Sequence, residues 1–221
     1  MTRLLAIANA AAGTADDQAI DAALGVLRDQ FDVALARTSS PEDLDDALRE
    51  HPDVDGVIVL GGDGSLHAVV DALRSADRLG LPIGLIPLGT GNDFAAALGL
   101  PSDPTEAAKL VGADHPSPVD LIVDGNDNVV VNVAHIGAGA EAAVAARPFK
   151  KTLGPLGYVA GAVIASGKAL GSPGARAVVT LDGSDDLPHG RVLQIAVGNG
   201  RYVGGGGGCC RTPIPPTGSS I

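Results

Sequence analysis

Tryptophan is absent from this 221-residue sequence, which carries only two tyrosines, three phenylalanines and one methionine. Large rings cannot dominate the interior, so valine, leucine, isoleucine and alanine must fill it. Long hydrophobic runs are missing too: nothing approaches the roughly 18 apolar residues of a membrane-crossing helix. The opening stretch, Met1 to Ala8, is too short an apolar run for a secretory signal, which predicts a cytoplasmic protein, peripheral to a membrane if it meets one. Basic residues are scarce, 15 against 26 acidic, for a net charge of −11. That balance argues against nucleic acid as a partner and against purely electrostatic docking on anionic lipid. The two cysteines, Cys209 and Cys210, are adjacent, which suits neither an ordinary disulfide nor a zinc site. No Gly-x-x-x-x-Gly-Lys-Ser/Thr phosphate loop occurs, nor any spaced cluster of metal-binding side chains.

What is present is alternation. Leu4–Ala8 reads as a strand, Asp16–Gln30 as a helix with Ile20, Leu24 and Leu27 on one face, and Phe31–Ala36 as a second strand. Ser40 and Pro41 open another helix as N-cap and first helical residue. Val57–Leu60 is a continuous apolar run of the kind a buried parallel strand requires. A helix over about 66–73, a strand at Ile83–Ile86 and a short helix at Phe94–Leu98 follow. The order predicts an α/β domain over 1–115 with a parallel sheet, whose ligands bind at the carboxyl ends of the strands. From 116 the pattern changes. Val119–Val123 and Val129–Ala134 flank Asp124-Gly-Asn-Asp-Asn as a hairpin, Lys150–Leu170 is broadly helical, and Ala175–Leu181 and Val192–Val197 read as strands. Residues 116–206 are thus predicted to be a second, mainly antiparallel β domain, and 207–221 a disordered tail without period or core residues.

Two glycine loops fall where the α/β pattern puts a ligand. Gly61-Gly62-Asp63-Gly64-Ser65 follows a buried strand and opens a helix, so backbone N–H groups and the helix start can surround a phosphate. Asp63 is a candidate carboxylate for magnesium or its waters. Pro87-Leu-Gly89-Thr90-Gly91-Asn92-Asp93-Phe94 repeats the arrangement after the next strand. Helix capping by Asp63, Ser65 or Asn92 explains either loop alone; two such loops on neighbouring strands favour a ligand site. Asn9 to Gly13 after the first strand, and Arg37-Thr38-Ser39 after the second, are weaker candidates at the rim. His67 and His135 read as ordinary packing or surface residues.

These motifs, Gly-Gly-Asp-Gly-Ser at 61–65 and Pro-Leu-Gly-Thr-Gly-Asn-Asp-Phe at 87–94, resemble the bacterial diacylglycerol kinase and multi-substrate lipid kinase family, to which sphingosine and ceramide kinases are related. Asn132-Val-Ala-His-Ile-Gly, Lys150-Lys-Thr-Leu-Gly-Pro-Leu-Gly-Tyr158 and Gly198-Asn-Gly-Arg-Tyr-Val-Gly resemble later blocks in the right order. The resemblance implies a two-domain kinase using ATP and magnesium. It places the nucleotide against Gly61, Gly62, Asp63, Gly64, Ser65, Leu66 and His67, with Thr38, Thr90, Asn9 and Gly13 as further contacts. Gly89, Gly91, Asn92 and Asp93 would support it. The acceptor implied is a lipid hydroxyl at a membrane surface, such as that of a diacylglycerol. Arg147, Lys150 and Lys151 read as a solvated basic group, with a membrane-facing role as the alternative. Oligomeric state is left open.

The chain departs from the family at three places. Ala10 stands where the family has proline, and Ser65 where it has threonine. After Gly206 the family's Asp-Gly-Leu-Leu and Asp-Gly-Glu segments, the second holding the proton acceptor, do not appear. Back-translated with GC-ending codons, except ATT for Ile214, residues 208–221 read two bases later give Leu-Leu-Pro-Asp-Pro-Asp-Ser-Ala-Asp-Gly-Leu-Leu-Asp. We therefore expect a frame shift, an incomplete second domain and little phosphate transfer by this product. The competing readings are an NAD kinase-like or phosphofructokinase-like small-molecule kinase, which the loop at 87–94 disfavours, and a non-catalytic nucleotide-binding protein.

Overall fold

A computed structural model of the chain describes residues 1–10, 14–113, 116–137, 175–177, 180, 190–199, 202–203 and 207–208. Strand and helix alternate through β1 (Arg3–Asn9), α1 (Thr14–Arg28), β2 (Asp32–Thr38), α2 (Pro41–Glu50), β3 (Gly56–Gly61), α3 (Asp63–Ser75) and β4 (Ile83–Pro87). Two short helices follow, α4 (Asp93–Ala97) and α5 (Pro104–Leu110). The four strands are parallel, in the order β2-β1-β3-β4. The chain runs from β1 outward to β2, then crosses back over β1 to β3 and on to β4. The sheet is therefore doubly wound, and its order reverses between β1 and β3, where such sheets leave a crevice at their carboxyl ends.

Strand periodicity sorts the side chains into two cores. Leu5 and Ile7 of β1 and Val57 and Val59 of β3 pack with Leu44 and Leu48 of α2, with Leu66, Val69, Val70 and Leu73 of α3, and with Phe94. Their neighbours Leu4, Ala6, Ala8, Ile58 and Leu60 face the other way, onto Ile20, Ala23, Leu24 and Leu27 of α1 and Ala107 and Ala108 of α5. Both faces of β1 and β3 are thus covered, which is why these strands are apolar throughout rather than alternating. Each fully buried leucine or valine contributes about 1.5–3 kcal/mol relative to exposure.

Local chemistry sets the helix ends. Ser40 Oγ accepts from the Asp43 N–H at 3.2 Å, and Asp43 Oδ2 accepts from the Ser40 N–H at 3.2 Å, so α2 starts in a capping box with Pro41 behind it. Hydrogen bonds from the Ser39 hydroxyl and N–H, both 2.7 Å, hold the Asp43 carboxyl below its usual range. At its other end, the Arg78 guanidinium donates to the carbonyls of Leu48 (2.8 Å), His51 (3.3 Å) and Pro52 (3.1 Å). α5 was not among the expected elements, although Asp103 before Pro104 marks its start. The Asp103 carboxylate accepts from the N–H groups of Thr105 and Glu106 at 2.9 and 3.0 Å.

Beyond α5 the strands are short and antiparallel. β5 (Ile122–Val123) pairs with β6 (Val129–Val130) as a hairpin around Asp124, whose carboxylate takes the N–H groups of Asn126 and Asn128. β7 (Val133–Gly137) pairs with β10 (Gln194–Gly198), β8 (Ala175–Ala177) with β9 (Gly190–Val192), and β11 (Tyr202–Val203) with β12 (Gly207–Gly208). The chain divides into two compact units, Met1–Asn132 with Asn199–Ile221, and Val133–Gly198. Val129 and Val131 of the hairpin segment are buried in the α2–α3 core, within the first unit. Arg74 of α3 reinforces that attachment by donating to the carbonyl and carboxylate of Asp127 in the turn. Asn199 returns to the first unit, its N–H donating to the Asn132 carbonyl at 2.7 Å and its side chain to the Val131 carbonyl at 3.1 Å. The expected tail begins with paired backbone at Gly207–Gly208. Residues 209–221, the helix expected at 150–170 and the basic group at 147–151 lie outside the described residues.

Candidate functional site

At the carboxyl edge of the sheet, the ends of the strands stand in the order Thr38, Asn9, Gly61, Pro87. Asn9 and Thr38 are register partners, and the ladder runs one step further, from the Ala10 N–H to the Thr38 carbonyl at 2.9 Å. Thr38 is buried at 9% exposure while Asn9 is exposed, so of these two rim residues only Asn9 presents its side chain outward. Arg37 is drawn toward the start of α1 by an ion pair with Asp17 at 2.8 Å. Gly13 lies outside the described residues.

The two glycine loops are in direct backbone contact. A Cβ added to Gly62 would stand 2.9 Å from Gly89 Cα, and one added to Gly89 would stand 2.6 Å from Gly62 Cα. Backbone cannot yield there as a flexible side chain could, so glycine is required on both sides. The Leu88 N–H donates to the Gly61 carbonyl at 3.1 Å, extending the β3–β4 ladder into the loops. Gly61 itself leaves room for Ser65, whose Oγ would lie 2.5 Å from an added Cβ.

Each loop is stiffened from within. Gly62 is the N-cap of α3 and carries no side chain to cover the first-turn N–H groups, which leaves that end open to an anion. Asn92 sits in the left-handed region, φ 50°, and its amide closes on Gly89: Oδ1 accepts from the Gly89 N–H at 2.9 Å, and Nδ2 donates to the Gly89 carbonyl at 2.7 Å. Asn92 occupies the N-cap position of α4 but gives that helix no side-chain bond. Asp63 does so instead, from 30 residues away. Its Oδ2 accepts from the Asp93 N–H at 3.1 Å and its Oδ1 from the Phe94 N–H at 2.9 Å. The capping expected of Asp63 is real, then, but serves α4 rather than its own helix.

The structure brings Gly61, Gly62, Asp63, Gly64, Ser65, Gly89, Thr90, Gly91, Asn92 and Asp93 together around this contact. Gly64, Thr90 and Gly91 are exposed, while Asp93 is buried at 8%. Leu66, predicted as a nucleotide contact, buries its side chain in the core beneath, and its N–H donates to the Gly62 carbonyl at 3.0 Å. His67 is exposed on α3. Among the described residues, no three His, Cys, Asp or Glu side chains group as a metal centre. A depression of about 450 Å³ lies elsewhere, between the C-terminal ends of α2 and α3, lined by Asp45, Leu48, Arg49, Pro52, Ser75, Ala76 and Arg78. It belongs to the opposite edge of the sheet, and its Arg78 is committed to backbone carbonyls.

A doubly wound α/β unit with two touching glycine loops, one opening an uncapped helix beside the switch point, defines a class of phosphate-handling domain. Residues 3–123 match the family model of the diacylglycerol kinase catalytic domain, and the chain belongs to that family. A protein of Stenotrophomonas maltophilia named "Probable lipid kinase YegS-like" is 37% identical over 164 residues, 71% of this chain and 52% of the relative. Another of that name, from Xanthomonas campestris, is 33% identical over 205 residues, covering 88% of this chain and 65% of the relative. A crystal structure of a diacylglycerol kinase from Bacillus anthracis superposes with a TM-score of 0.69 at 29% identity, over 92% of this chain and 66% of that one. The chain spans about half the length of the first of these curated relatives.

Proposed function

We propose that this chain carries the nucleotide-binding part of an ATP-dependent lipid kinase, which transfers the γ-phosphoryl group to a lipid hydroxyl such as that of a diacylglycerol. The observation that carries the reading is the Gly62–Gly89 contact, which sets an uncapped helix start beside a second glycine loop at the carboxyl edge of the sheet. Phosphoryl transfer depends chiefly on positioning and on neutralising phosphate charge. The backbone N–H groups of Asp63 and Gly64, in the uncapped first turn of α3, would supply donors that need no reorganisation when a triphosphate arrives. Thr90 is exposed at the tip of the second loop, and Asn9 is exposed at the end of β1 on the same edge.

Magnesium would enter as a guest of the nucleotide. Asp63 Oδ2 stands 3.5 Å from where a Gly91 Cβ would be, but both Asp63 oxygens accept backbone N–H groups, so the ion would be held chiefly by phosphates and water and would supply charge neutralisation there. The names of the relatives favour a lipid acceptor over a nicotinamide nucleotide or a sugar phosphate. The acceptor would be met at a membrane surface; among the described residues, no helix is long and apolar enough to cross one.

The test is calorimetric titration of the folded chain with ATP and magnesium, followed by radiolabelled phosphate transfer to diacylglycerol in mixed micelles, with NAD and fructose 6-phosphate as competing acceptors. Saturable ATP binding that Gly89→Ala weakens about tenfold or more supports the reading. A folded chain that ignores ATP, or that phosphorylates either water-soluble acceptor in preference to lipid, defeats it.

A further inference from the structure

We propose that Asp63 is a positioning residue, which locks the 89–93 loop onto the first turn of α3 so that the two loops act as one rigid cradle. The inference rests on the nucleotide reading above and assigns to Asp63 a task other than gripping metal. Both of its carboxylate oxygens are engaged by backbone, at 3.1 and 2.9 Å, with the N–H groups of Asp93 and Phe94. Those are donors that no carbonyl of α4 can satisfy, because they belong to its first turn. α4 has only five residues, too few to sustain a helix by its own hydrogen bonds. Its start is fixed from outside, by Asp63 on one side and by the burial of Phe94 and Ala95 on the other.

Geometry then transmits the constraint. Asn92 closes the loop onto Gly89, and Gly89 rests on Gly62, the residue immediately before Asp63. The circuit Gly62, Asp63, Phe94, Asn92, Gly89 and back to Gly62 is held by hydrogen bonds and one backbone contact. A change at Asp63 would therefore be felt at Thr90 and Gly91 at the loop tip, and at the Phe94 end of the core, while β1 and β3 keep their ladder. Charge matters as well as shape, since an ionised acceptor makes the stronger bonds to paired backbone donors.

Two substitutions separate this role from direct metal binding. Asp63→Asn keeps the shape but offers one carbonyl oxygen to two N–H groups. Asp63→Glu keeps the charge and the metal-binding group but places them one methylene too far along. We expect both variants to keep the unfolding temperature of the parent within a few degrees and to bind ATP about tenfold or more weakly, the scale of losing charge-assisted hydrogen bonds. We also expect the magnesium concentration for half-maximal binding to stay unchanged, and amide exchange at Asp93 and Phe94 to accelerate while exchange at Leu5 and Val59 does not. The inference is overturned if Asp63→Glu binds as the parent does, if the loss in either variant comes through a shifted magnesium requirement, or if exchange at 93–94 is unmoved. An unaltered chain that binds no ATP overturns the nucleotide reading, and this inference with it; a deficit confined to the variants does not.

Discussion

The two edges of the parallel sheet are finished in opposite ways. At the amino edge, side chains tie off the backbone: Arg78 covers three carbonyls behind α2, and Asp55 accepts the Arg3 N–H at 2.8 Å. At the carboxyl edge, Asn92 and Asp63 tie the two loops to each other, and Gly61, Gly62 and Gly89 let the chain pack against itself, but the start of α3 is left uncapped. One edge spends its polar groups on its own backbone and the other leaves a helix start open, so substitutions at the two should separate stability from binding.

The largest effect is expected from Gly89→Ala. The new methyl would stand 2.6 Å from Gly62 Cα, and overpacking of about 1–3 kcal/mol there should weaken ATP binding roughly tenfold to a hundredfold, read by calorimetry, with little change in the far-ultraviolet spectrum. Arg78→Ala is its counterpart at the amino edge. Removing the guanidinium should cost about 2 kcal/mol in urea unfolding and leave ATP affinity where it was. Equal damage to binding by both variants would erase the contrast between the edges. Ser40→Ala sharpens it from the carboxyl edge, where Ser40 follows β2 but spends its hydroxyl on the α2 cap: its loss should cost about 1 kcal/mol with binding intact.

The smallest effect is a pH dependence. Hydrogen bonds from Ser39 and Ser40 lower the Asp43 pKa from its model-compound value of 3.8, so the folded state favours the ionised carboxylate. The stability it contributes is fully present above that value and is lost as pH falls through the lower folded value. Acid titration of the unfolding midpoint should show that loss below about pH 4 and a smaller one in Asp43→Asn. Identical acid limbs for the two proteins would show that the carboxylate is idle.

Much of this was legible in the sequence because it depends on neighbours. The apolar runs at 4–8 and 57–60, the Ser40–Pro41 helix start and both glycine loops are short-range patterns, and each stands where its chemistry places it. Asp103 before Pro104 belonged to the same class of signal and was passed over, although its cap is formed. What could not be read depends on distance along the chain. That Asp63 serves a helix 30 residues away follows only once β3 and β4 are seen as neighbours. Leu66 stands within the loop motif, yet one helical turn carries its side chain into the core. Val129 and Val131 look like any hairpin residues until α3 is placed beneath them.

The strand order also dictates the sequence of events by which the fold can be assembled. β1 precedes its sheet partners along the chain but occupies an inner position, and its second neighbour, β3, begins 53 residues after the start of β1 (Arg3 to Gly56). Until Gly56–Gly61 arrives, β1 can pair only with β2, and one row of its backbone groups stays open to any other chain with a free edge. Closing that row requires a crossover through α2, the kind of non-local pairing whose loop-closure cost slows folding. A nascent chain halted near residue 50 is thus the form most exposed to aggregation, and a chaperone would find its best foothold there.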